Sequence, residues 1–410
     1  MSHTVCRACR TPLSRTFVDL GMSPLANSFV PMDRADLGEM FYPLHVFVCE
    51  SCLLVQLSEF ETPKSIFNDS YAYFSSYSVS WLRHAEAYAT TMVDRFALRS
   101  DSHVVEVASN DGYLLQYFVQ RGIPVTGVEP AANCARAAEA KGVRTEVMFF
   151  GADSARLLAD RHGRADLIAA NNVLAHVPDI QDFVAGFREM LKQEGVVTFE
   201  FPHLMRLIEN IQFDTIYHEH FSYLALEPVR KVLARQGLRV FDVEELPTHG
   251  GSLRVFACHE GATHAETPAV AELIAREISQ GLNDLATYDS FGSRVADVKD
   301  ELLEFLIAAR RDGKLVASYG APAKGNTLLN YCGVGPEHIA FTVDLNPVKQ
   351  KTLLPGVRIP VFEVEEVARR RPDYLLILPW NLREEISEQM KGIREWGGRF
   401  VTAIPRLEVF

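Results

Sequence analysis

The segment Tyr217-His218-Glu219-His220 places a phenol, two imidazoles and a carboxyl group next to one another in the chain. Imidazole has a reference pKa of about 6.5, so it exchanges protons readily near neutral pH. Such a group can act as a general base when a donor or a positive group faces the charge that develops on the substrate. The alternatives are a structural hydrogen-bond network or a metal site. His218 and His220 would share a face in a strand but diverge in a helix.

Two CxxC pairs, Cys6-Arg-Ala-Cys9 and Cys49-Glu-Ser-Cys52, form a second candidate site. Each two-residue spacer turns both sulfurs of a pair toward one point, so the two pairs can bind one tetrahedral zinc ion. With thiolates in all four positions no site is left for substrate, and the metal would be structural. A redox pair or four unrelated cysteines are the alternatives. The acidic surroundings disfavour a nucleic-acid-binding ribbon.

A third candidate is the segment 104–112, Val-Val-Glu-Val-Ala-Ser-Asn-Asp-Gly, which reads as a strand ending in a turn that enters a helix. Small residues there allow close approach of a ligand, but a single glycine disfavours NAD. Glu129 ends the next strand, where a carboxylate can accept hydrogen bonds from both ribose hydroxyls. The loop alone could be an ordinary strand-to-helix turn. The candidate cofactor ligands are Glu106, Ala108, Asn110, Gly112, Glu129, Asn171 and Asn172.

A second glycine-containing loop, Tyr319-Gly-Ala-Pro-Ala-Lys-Gly325, opens a predicted helix. Its backbone N–H groups and Lys324 could hold a pyrophosphate, with Asn326 as a further donor. Pro322 departs from the dinucleotide pattern, so NAD is not inferred, and a turn without a ligand is the alternative. His249 precedes a glycine pair that could bring backbone near a substrate or could simply form a turn. The candidate substrate ligands are Lys324, Gly325, Asn326 and His249.

Three regions must position these groups. Residues 1–68 are turn-rich with brief strands, 42–48 and 53–57 among them. Residues 69–262 alternate strands with helices, which predicts an α/β fold with a doubly wound, mostly parallel sheet. Residues 263–410 begin with a helical stretch over 265–311, broken near Gly281, and then form a second, smaller α/β unit.

Composition narrows the function. The 410 residues carry a net charge of −12, which disfavours nucleic-acid binding. No apolar run is long enough to predict a transmembrane helix, so no membrane partner is expected. The polar residues 1–10 do not fit a secretory signal, and a cytoplasmic protein with reduced thiols is expected. The oligomeric state is left open.

The motifs, in their order along the chain, resemble the sugar C-methyltransferases of unusual deoxysugar pathways. The resemblance includes both CxxC pairs and covers essentially the whole chain. It implies a zinc-binding N-terminal domain, a class I methyltransferase domain and a Rossmann-like C-terminal domain. The other matching segments are Glu-Val-Ala-Ser-Asn-Asp-Gly112, Gly127-Val-Glu-Pro130, Asn172-Val-Leu-Ala-His-Val-Pro178, Tyr217-His-Glu-His220, His249-Gly-Gly-Ser-Leu-Arg254 and Tyr319-Gly-Ala-Pro-Ala-Lys-Gly325.

The resemblance implies methyl transfer from S-adenosylmethionine to a ring carbon beside the keto group of a nucleotide-linked sugar, usually a dTDP-sugar. His220 matches the general base of the family, and Tyr217, Glu219 and His176 would orient the substrate or stabilise the enolate. Tyr73 matches a tyrosine that closes the pocket. The C-terminal domain would help hold the nucleotide. An O- or N-methyltransferase acting on another small molecule, or a non-catalytic zinc-stapled nucleotide-binding protein, are the alternatives.

Overall fold

A computed structural model describes residues 5–60, 62 and 74–410. The described residues form two compact units. The first unit contains the described parts of Met1–Leu13, Cys49–His203 and Phe221–Asn283, and the second contains Ser14–Val48, Leu204–His220 and Asp284–Phe410. The division into three domains at residues 68 and 262 stays a prediction.

The strands alternate with helices as the hydrophobic pattern indicates. The strands are β1 Arg15–Ser23, β2 Val30–Pro31, β3 Tyr42–Val48, β4 Val55–Leu57, β5 Val104–Val107, β6 Val125–Val128, β7 Thr145–Glu146, β8 Ala165–Asn171, β9 Leu191–Pro202, β10 Ser222–Tyr223, β11 Leu238–Leu246, β12 Ser252–His259, β13 Val316–Tyr319, β14 Thr342–Val343, β15 Thr352–Leu353, β16 Pro360–Phe362, β17 Tyr374–Ile377, β18 Arg399–Thr402 and β19 Glu408–Val409.

The helices are α1 Val79–Phe96, α2 Leu115–Val119, α3 Ala132–Glu139, α4 Ala152–His162, α5 Ile180–Met190, α6 Leu204–Glu209, α7 Leu226–Arg235, α8 Pro268–Ser279, α9 Leu285–Asp289, α10 Phe291–Arg311, α11 Ala323–Cys332, α12 Glu366–Arg370 and α13 Arg383–Gln389. Short 3-10 turns lie at Met32–Arg34, Ser75–Tyr77, Leu174–His176, Phe213–Thr215, Thr248–Gly250, Trp380–Leu382 and Lys391–Trp396. Within the described ranges, no helix is both long and apolar enough to cross a membrane.

The first unit is built on a seven-stranded sheet in the order β11-β12-β9-β8-β5-β6-β7. Strands β5 to β9 are mutually parallel, and β12 runs antiparallel to both β9 and β11. Both faces of the sheet are covered, since Ile168 and Ala170 of β8 enter one apolar core and Leu167 and Ala169 enter another. Burial on both faces explains why β5 and β6 are mostly apolar, although each also buries one polar side chain, Glu106 in β5 and Thr126 in β6. The predicted doubly wound sheet is confirmed.

The second unit is built on an eight-stranded sheet in the order β19-β18-β17-β13-β14-β16-β15-β2. Strands β18, β17, β13, β14 and β16 are parallel, and antiparallel strands flank them on both sides. The antiparallel pair β1 and β3 also belongs to this unit. The parallel centre with flanking helices confirms the predicted Rossmann-like fold.

The helical stretch predicted over 265–311 is three helices, α8, α9 and α10. The chain leaves α8 through Gly281, which has a φ of +79°, a backbone conformation that favours glycine. The helix predicted after Gly112 is also shorter than expected, because α2 begins only at Leu115.

Candidate active site

The four cysteines of the CxxC pairs form one cluster in the first unit, with their sulfur atoms all within 4.8 Å of one another. Cys6 Sγ lies 3.6 Å from Cys52 Sγ, and Cys9 Sγ lies 3.4 Å from Cys49 Sγ. Zinc–sulfur bonds of about 2.3 Å in a tetrahedron require sulfur atoms roughly this far apart. The cluster therefore fits a structural zinc ion whose four ligands are all protein thiolates.

The two cysteine loops share one backbone geometry. Arg10 N donates to Cys6 O, and Leu53 N donates to Cys49 O, both at 2.8 Å. Arg10 and Leu53 both adopt positive φ, at 66° and 64°. Gln56 Nε2 also donates to Cys6 Sγ at 3.1 Å. The two matching turns and the hydrogen bond from the Gln56 amide to Cys6 Sγ explain how the four thiols converge although no helix or strand carries them.

The proposed cofactor ligands of the first unit meet at the carboxyl edge of its sheet, where β5, β6 and β8 end side by side. Ala108, Asn110 and Asn172 all have positive φ, at 59°, 48° and 52°. Such conformations are strained in residues other than glycine, and they tend to occur at functional sites. The sequence-predicted loop and strand ends are therefore brought together at one place.

Glu129 fastens the cofactor loop to the tip of β6. Its buried carboxylate accepts from Asn110 N at 2.9 Å and from Ala131 N at 2.8 Å. Burial raises the pKa of Glu129, and these two backbone donors oppose the rise. Each carboxylate oxygen has a second lone pair, so the group can still accept from ribose hydroxyls.

Several polar atoms at this edge have no protein partner. Among the described residues, Ser109 Oγ, Asp111 Oδ1 and Asn172 Oδ1 are buried and accept or donate no hydrogen bond within the chain. Glu106 lies nearby at the end of β5 and is almost completely buried, which raises the pKa of its carboxyl well above the usual value. Buried polar atoms are normally satisfied. This set therefore fits a polar ligand such as the amino-acid and ribose groups of a nucleoside cofactor.

Gly127 explains how the cofactor loop approaches β6 so closely. A Cβ atom at this position would lie 2.5 Å from Ser109 Oγ. At Gly112, a Cβ would lie 3.1 Å from Ala138 Cβ, and φ is +75°. The single glycine of the loop is thus required by backbone conformation and by packing on α3.

His176 and His249 also belong to the first unit. His176 ends the 3-10 turn after Asn172, and His249 is exposed between β11 and β12 with a φ of 54°. Asn172 Nδ2 and His249 Nε2 are 3.5 Å apart, so the structure places His249 beside the cofactor edge. Trp81 contacts His249 with ring centroids 5.3 Å apart.

A buried ion network that the sequence analysis did not single out lies beneath Trp81. Arg254 Nη2 donates to Glu200 Oε2 at 3.0 Å, and His84 Nε2 lies 2.9 Å from Glu200 Oε1. The ring of His84 stacks on Trp81 with centroids 4.8 Å apart. Although burial raises the pKa of Glu200, His84 and Arg254 together outweigh it and lower that pKa. The position of Glu200 near the end of β9 is the one sequence signal that could have identified it.

The Tyr217–His220 segment lies in the second unit, just after the 3-10 turn at Phe213–Thr215. His220 Nδ1 is 2.8 Å from the carbonyl oxygen of Thr215. A carbonyl only accepts, so Nδ1 carries the proton and Nε2 is the unprotonated nitrogen of the neutral ring. The rings of Tyr217 and His220 lie 4.0 Å apart. His220 is thereby set in the tautomer that a general base requires.

The neighbours of His220 differ in their surroundings. Glu219 accepts from Asn27 Nδ2 at 2.7 Å, and burial raises the pKa of its carboxyl. His218 is buried, with Nε2 3.3 Å from Pro43 O, and burial lowers its pKa. These contacts give His218 a structural role in the second unit.

The second glycine loop is packed internally. Lys324 Nζ donates to Asn381 Oδ1 at 2.7 Å, and Asn326 Nδ2 donates to Ala26 O at 2.6 Å. A Cβ at Gly325 would lie 2.9 Å from Leu378 Cδ1. Asp344, at the end of β14, accepts from Ala321 N at 2.7 Å. Tyr73, the remaining predicted site residue, lies outside the described residues, and the catalytic and substrate-binding roles of all these residues stay predictions.

Three family models match successive parts of the chain. A "Putative zinc binding domain" matches residues 6–67, a methyltransferase domain matches residues 81–243, and a C-methyltransferase C-terminal domain matches residues 247–405. The methyltransferase domain match includes strands β5 to β9 of the seven-stranded sheet and the cofactor edge formed by β5, β6 and β8. The fold and site thus define an S-adenosylmethionine-dependent methyltransferase of class I fold, with structural zinc.

The C-methyltransferase NovU of Streptomyces niveus is 40% identical to this chain over 368 residues, which are 90% of this chain and 87% of that protein. The chain therefore belongs to the C-methyltransferase family that its motifs predict.

Solved structures give weaker likenesses. Magnesium protoporphyrin IX methyltransferase from Synechocystis PCC 6803, with bound S-adenosylmethionine, is 15% identical and covers 44% of this chain and 80% of its own, with a TM-score of 0.34. An S-adenosylmethionine-dependent methyltransferase from Clostridium acetobutylicum is 13% identical and covers 44% and 92%, with a TM-score of 0.36.

Proposed function

We propose that this C-methyltransferase methylates a ring carbon beside the ketone of a nucleotide-linked deoxysugar, with dTDP as the nucleotide. The observation that carries the proposal is the contact of His220 Nδ1 with the Thr215 carbonyl at 2.8 Å, which puts the proton of the neutral ring on Nδ1 and makes Nε2 the basic nitrogen. A carbon acid needs such a base, whereas the oxygen or nitrogen of an ordinary acceptor already has a lone pair to attack with.

In the proposed reaction, His220 Nε2 removes the proton from the carbon beside the ketone, and the electrons of that C–H bond form an enolate. S-adenosylmethionine supplies the electrophilic methyl group, and the carbon takes it as the carbon–sulfur bond breaks. Tyr217, Glu219 and His176 orient the sugar or donate to the enolate oxygen. Burial raises the pKa of the Glu219 carboxyl, and Asn27 Nδ2, which donates to that carboxyl, opposes the rise.

The cofactor is assigned to the first unit. Its adenosine ribose would bind Glu129, and the buried polar atoms Ser109 Oγ, Asp111 Oδ1 and Asn172 Oδ1 would hold the rest. The nucleotide of the sugar is assigned to the glycine loop at Gly325 and Asn326, whereas Lys324 of that loop donates to Asn381 Oδ1 at 2.7 Å. His249 is assigned to the sugar. Tyr73 is retained as the residue that closes the pocket.

Incubation with methyl-labelled S-adenosylmethionine and a panel of nucleotide-linked 4-keto-6-deoxysugars tests the proposal. We expect one dTDP-keto-sugar to gain the label on carbon, as located by NMR. A label found on oxygen or nitrogen would contradict the proposal and favour the alternative class of methyltransferase. S-adenosylmethionine binding without turnover of any keto-sugar would also count against it.

A further inference from the structure

Asp214 is a fully buried carboxylate next to the turn that holds His220. It belongs to the 3-10 turn Phe213–Thr215, and its relative exposure is 0%. Its Oδ2 atom accepts from Trp380 Nε1 at 2.7 Å. Burial raises the pKa of Asp214 to about 6, and the charge of Lys324 opposes that rise. A carboxylate buried this completely needs a counter-charge to remain ionised at neutral pH.

Lys324 supplies the counter-charge. Its ammonium lies 4.5 Å from the ring centroid of Trp380, the residue that donates to Asp214, and it donates to Asn381 Oδ1 at 2.7 Å. Burial lowers the pKa of Lys324, and the charge of Asp214 opposes that change. The charge of each group therefore helps to keep the other group ionised, and Trp380 contacts both.

The helix that carries Lys324 contacts the same turn at two further points. Thr327 Oγ1 donates to Ile216 O at 2.8 Å, and the ring of Tyr331 packs edge-on against Phe213 with centroids 5.4 Å apart. Spacings of three and four residues place Lys324, Thr327 and Tyr331 on one face of α11. This face fixes the backbone on both sides of Thr215.

The carbonyl of Thr215 is the group that accepts from His220 Nδ1. It lies between Asp214 and Ile216, the two residues anchored by Trp380 and Thr327. A shift of this carbonyl would release the Nδ1 proton and allow the other tautomer, in which Nε2 is protonated and cannot act as a base. A displacement of about 1 Å at a reacting group can lower a rate by on the order of 100-fold.

We propose that Asp214 and Lys324 are a positioning pair that holds the Thr215 carbonyl and so orients the His220 base. The proposal rests on the assignment of His220 as that base. In this role Lys324 acts through Asp214, and not by binding the phosphates of the substrate.

The test uses the full-length, zinc-loaded enzyme and the variants Asp214→Asn, Lys324→Met and the double variant. Asn keeps an acceptor for Trp380 but removes the charge. Each single variant leaves one charge without its partner, so we expect kcat to fall on the order of 10- to 100-fold. KM for the nucleotide sugar and Kd for S-adenosylmethionine should stay within about twofold of the wild-type values. The double variant has no unmatched charge and should recover most of kcat.

Two controls separate positioning from loss of folding. Lys314→Met removes a lysine from an exposed ion pair with Asp373 in the same unit and should leave kcat unchanged. ¹⁵N NMR of histidine-labelled protein reports the His220 tautomer, and both single variants should lose the uniform Nδ1-protonated signal. A variant that keeps this signal and the wild-type kcat would overturn the proposal.

A different result would assign Lys324 to the substrate. If Lys324→Met raises KM for the nucleotide sugar, weakens binding of free dTDP and is not rescued by Asp214→Asn, the positioning role is wrong. Failure of the base assignment is recognised separately, because His220→Asn would then keep substantial turnover whatever the Asp214 variants do.

Discussion

Glu200 in the first unit and Asp214 in the second unit are both fully buried carboxylates near a proposed site, and their pKa values shift in opposite directions. Glu200 in the first unit contacts Arg254 and His84 directly, and its pKa is lowered. Asp214 in the second unit accepts from the neutral Trp380 N–H, and its pKa is raised to about 6. Direct ionic partners thus outweigh burial at Glu200, whereas at Asp214 burial outweighs a neutral donor and the charge of Lys324.

The two carboxylates support different parts of the proposed sites. A carboxylate fixed by an arginine is a rigid support, and Glu200 supports His84, on which Trp81 stacks beside His249. A carboxylate with a raised pKa remains sensitive to the loss of a single neighbour. Asp214 is next to Thr215 and so transmits that sensitivity to His220.

The largest expected effect is on the Glu200 network. Arg254→Leu removes the arginine that is the permanently charged partner of the buried Glu200 carboxylate, and we expect the free energy of unfolding to fall by about 3–5 kcal/mol. Urea denaturation of the zinc-loaded protein measures the change. The matched control is Arg156→Leu, which breaks the exposed pair with Asp153 and should lower that free energy by about 1 kcal/mol or less. Equal losses of stability for the two substitutions would contradict a special contribution of the buried Glu200–Arg254 ion pair.

A smaller loss of stability is expected when the hydrogen bond between Thr327 and Ile216, the residue after Thr215, is removed. Thr327→Val leaves the Ile216 carbonyl without its donor, which should lower the free energy of unfolding by about 1–2 kcal/mol and reduce kcat. Thr248→Val is the counterpart in the first unit, because Thr248 Oγ1 donates to Glu200 over 3.4 Å and should contribute only a few tenths of a kcal/mol. Urea denaturation measures the free energy of unfolding of both variants, and steady-state kinetics measure kcat. A larger loss of stability in Thr248→Val than in Thr327→Val would contradict the expected order.

The smallest expected effect is a difference in how the two carboxylates make stability depend on pH, because the pKa of Asp214 is raised and that of Glu200 is lowered. The raised pKa of Asp214 means that the folded state takes up a proton first as the pH falls through about 6. Wild-type protein should therefore gain about 1 kcal/mol of stability relative to Asp214→Asn between pH 7 and pH 5.

The pKa of Glu200 lies below its ordinary value of 4.5. Its contribution is present above that value and is lost only as the pH falls below it, so the difference between wild type and Glu200→Gln should stay flat from pH 7 to pH 5. Urea midpoints measured at intervals across this range test both statements. A slope for Glu200→Gln, or none for Asp214→Asn, would contradict the assignment of the two pKa directions.

Much of the parallel framework could be predicted from the sequence, because strands buried on both faces are short segments rich in valine and other apolar residues. Strands β5 and β6 begin and end where the pattern places them. Two of the longer strands, β1 and β12, were among those not predicted, and the reasons are identifiable. Strand β1 has two register irregularities that break its alternation, and β12 carries Arg254 in its middle, where the ion pair with Glu200 allows a charge to be buried.

The candidate site was predictable only in part. Parallel strands end at one edge of a sheet, so the convergence of Ala108, Glu129 and Asn171 follows from the pattern. The contact between Asp214 and Trp380 joins residues that are 166 positions apart in the chain, and no local sequence pattern predicts it. The same is true of Lys324, whose loop motif predicts a phosphate ligand while its surroundings pair it with Asn381 and Trp380.

The central claim is that His220 removes a proton from carbon before methyl transfer. The most direct test is solvent deuterium exchange at the carbon beside the ketone, followed by NMR in D₂O without a methyl donor and with S-adenosylhomocysteine to occupy the cofactor site. Wild-type enzyme and the His218→Asn control should exchange this proton, and His220→Asn should not, although all three bind S-adenosylhomocysteine with similar Kd. Exchange by His220→Asn at the wild-type rate would contradict the account.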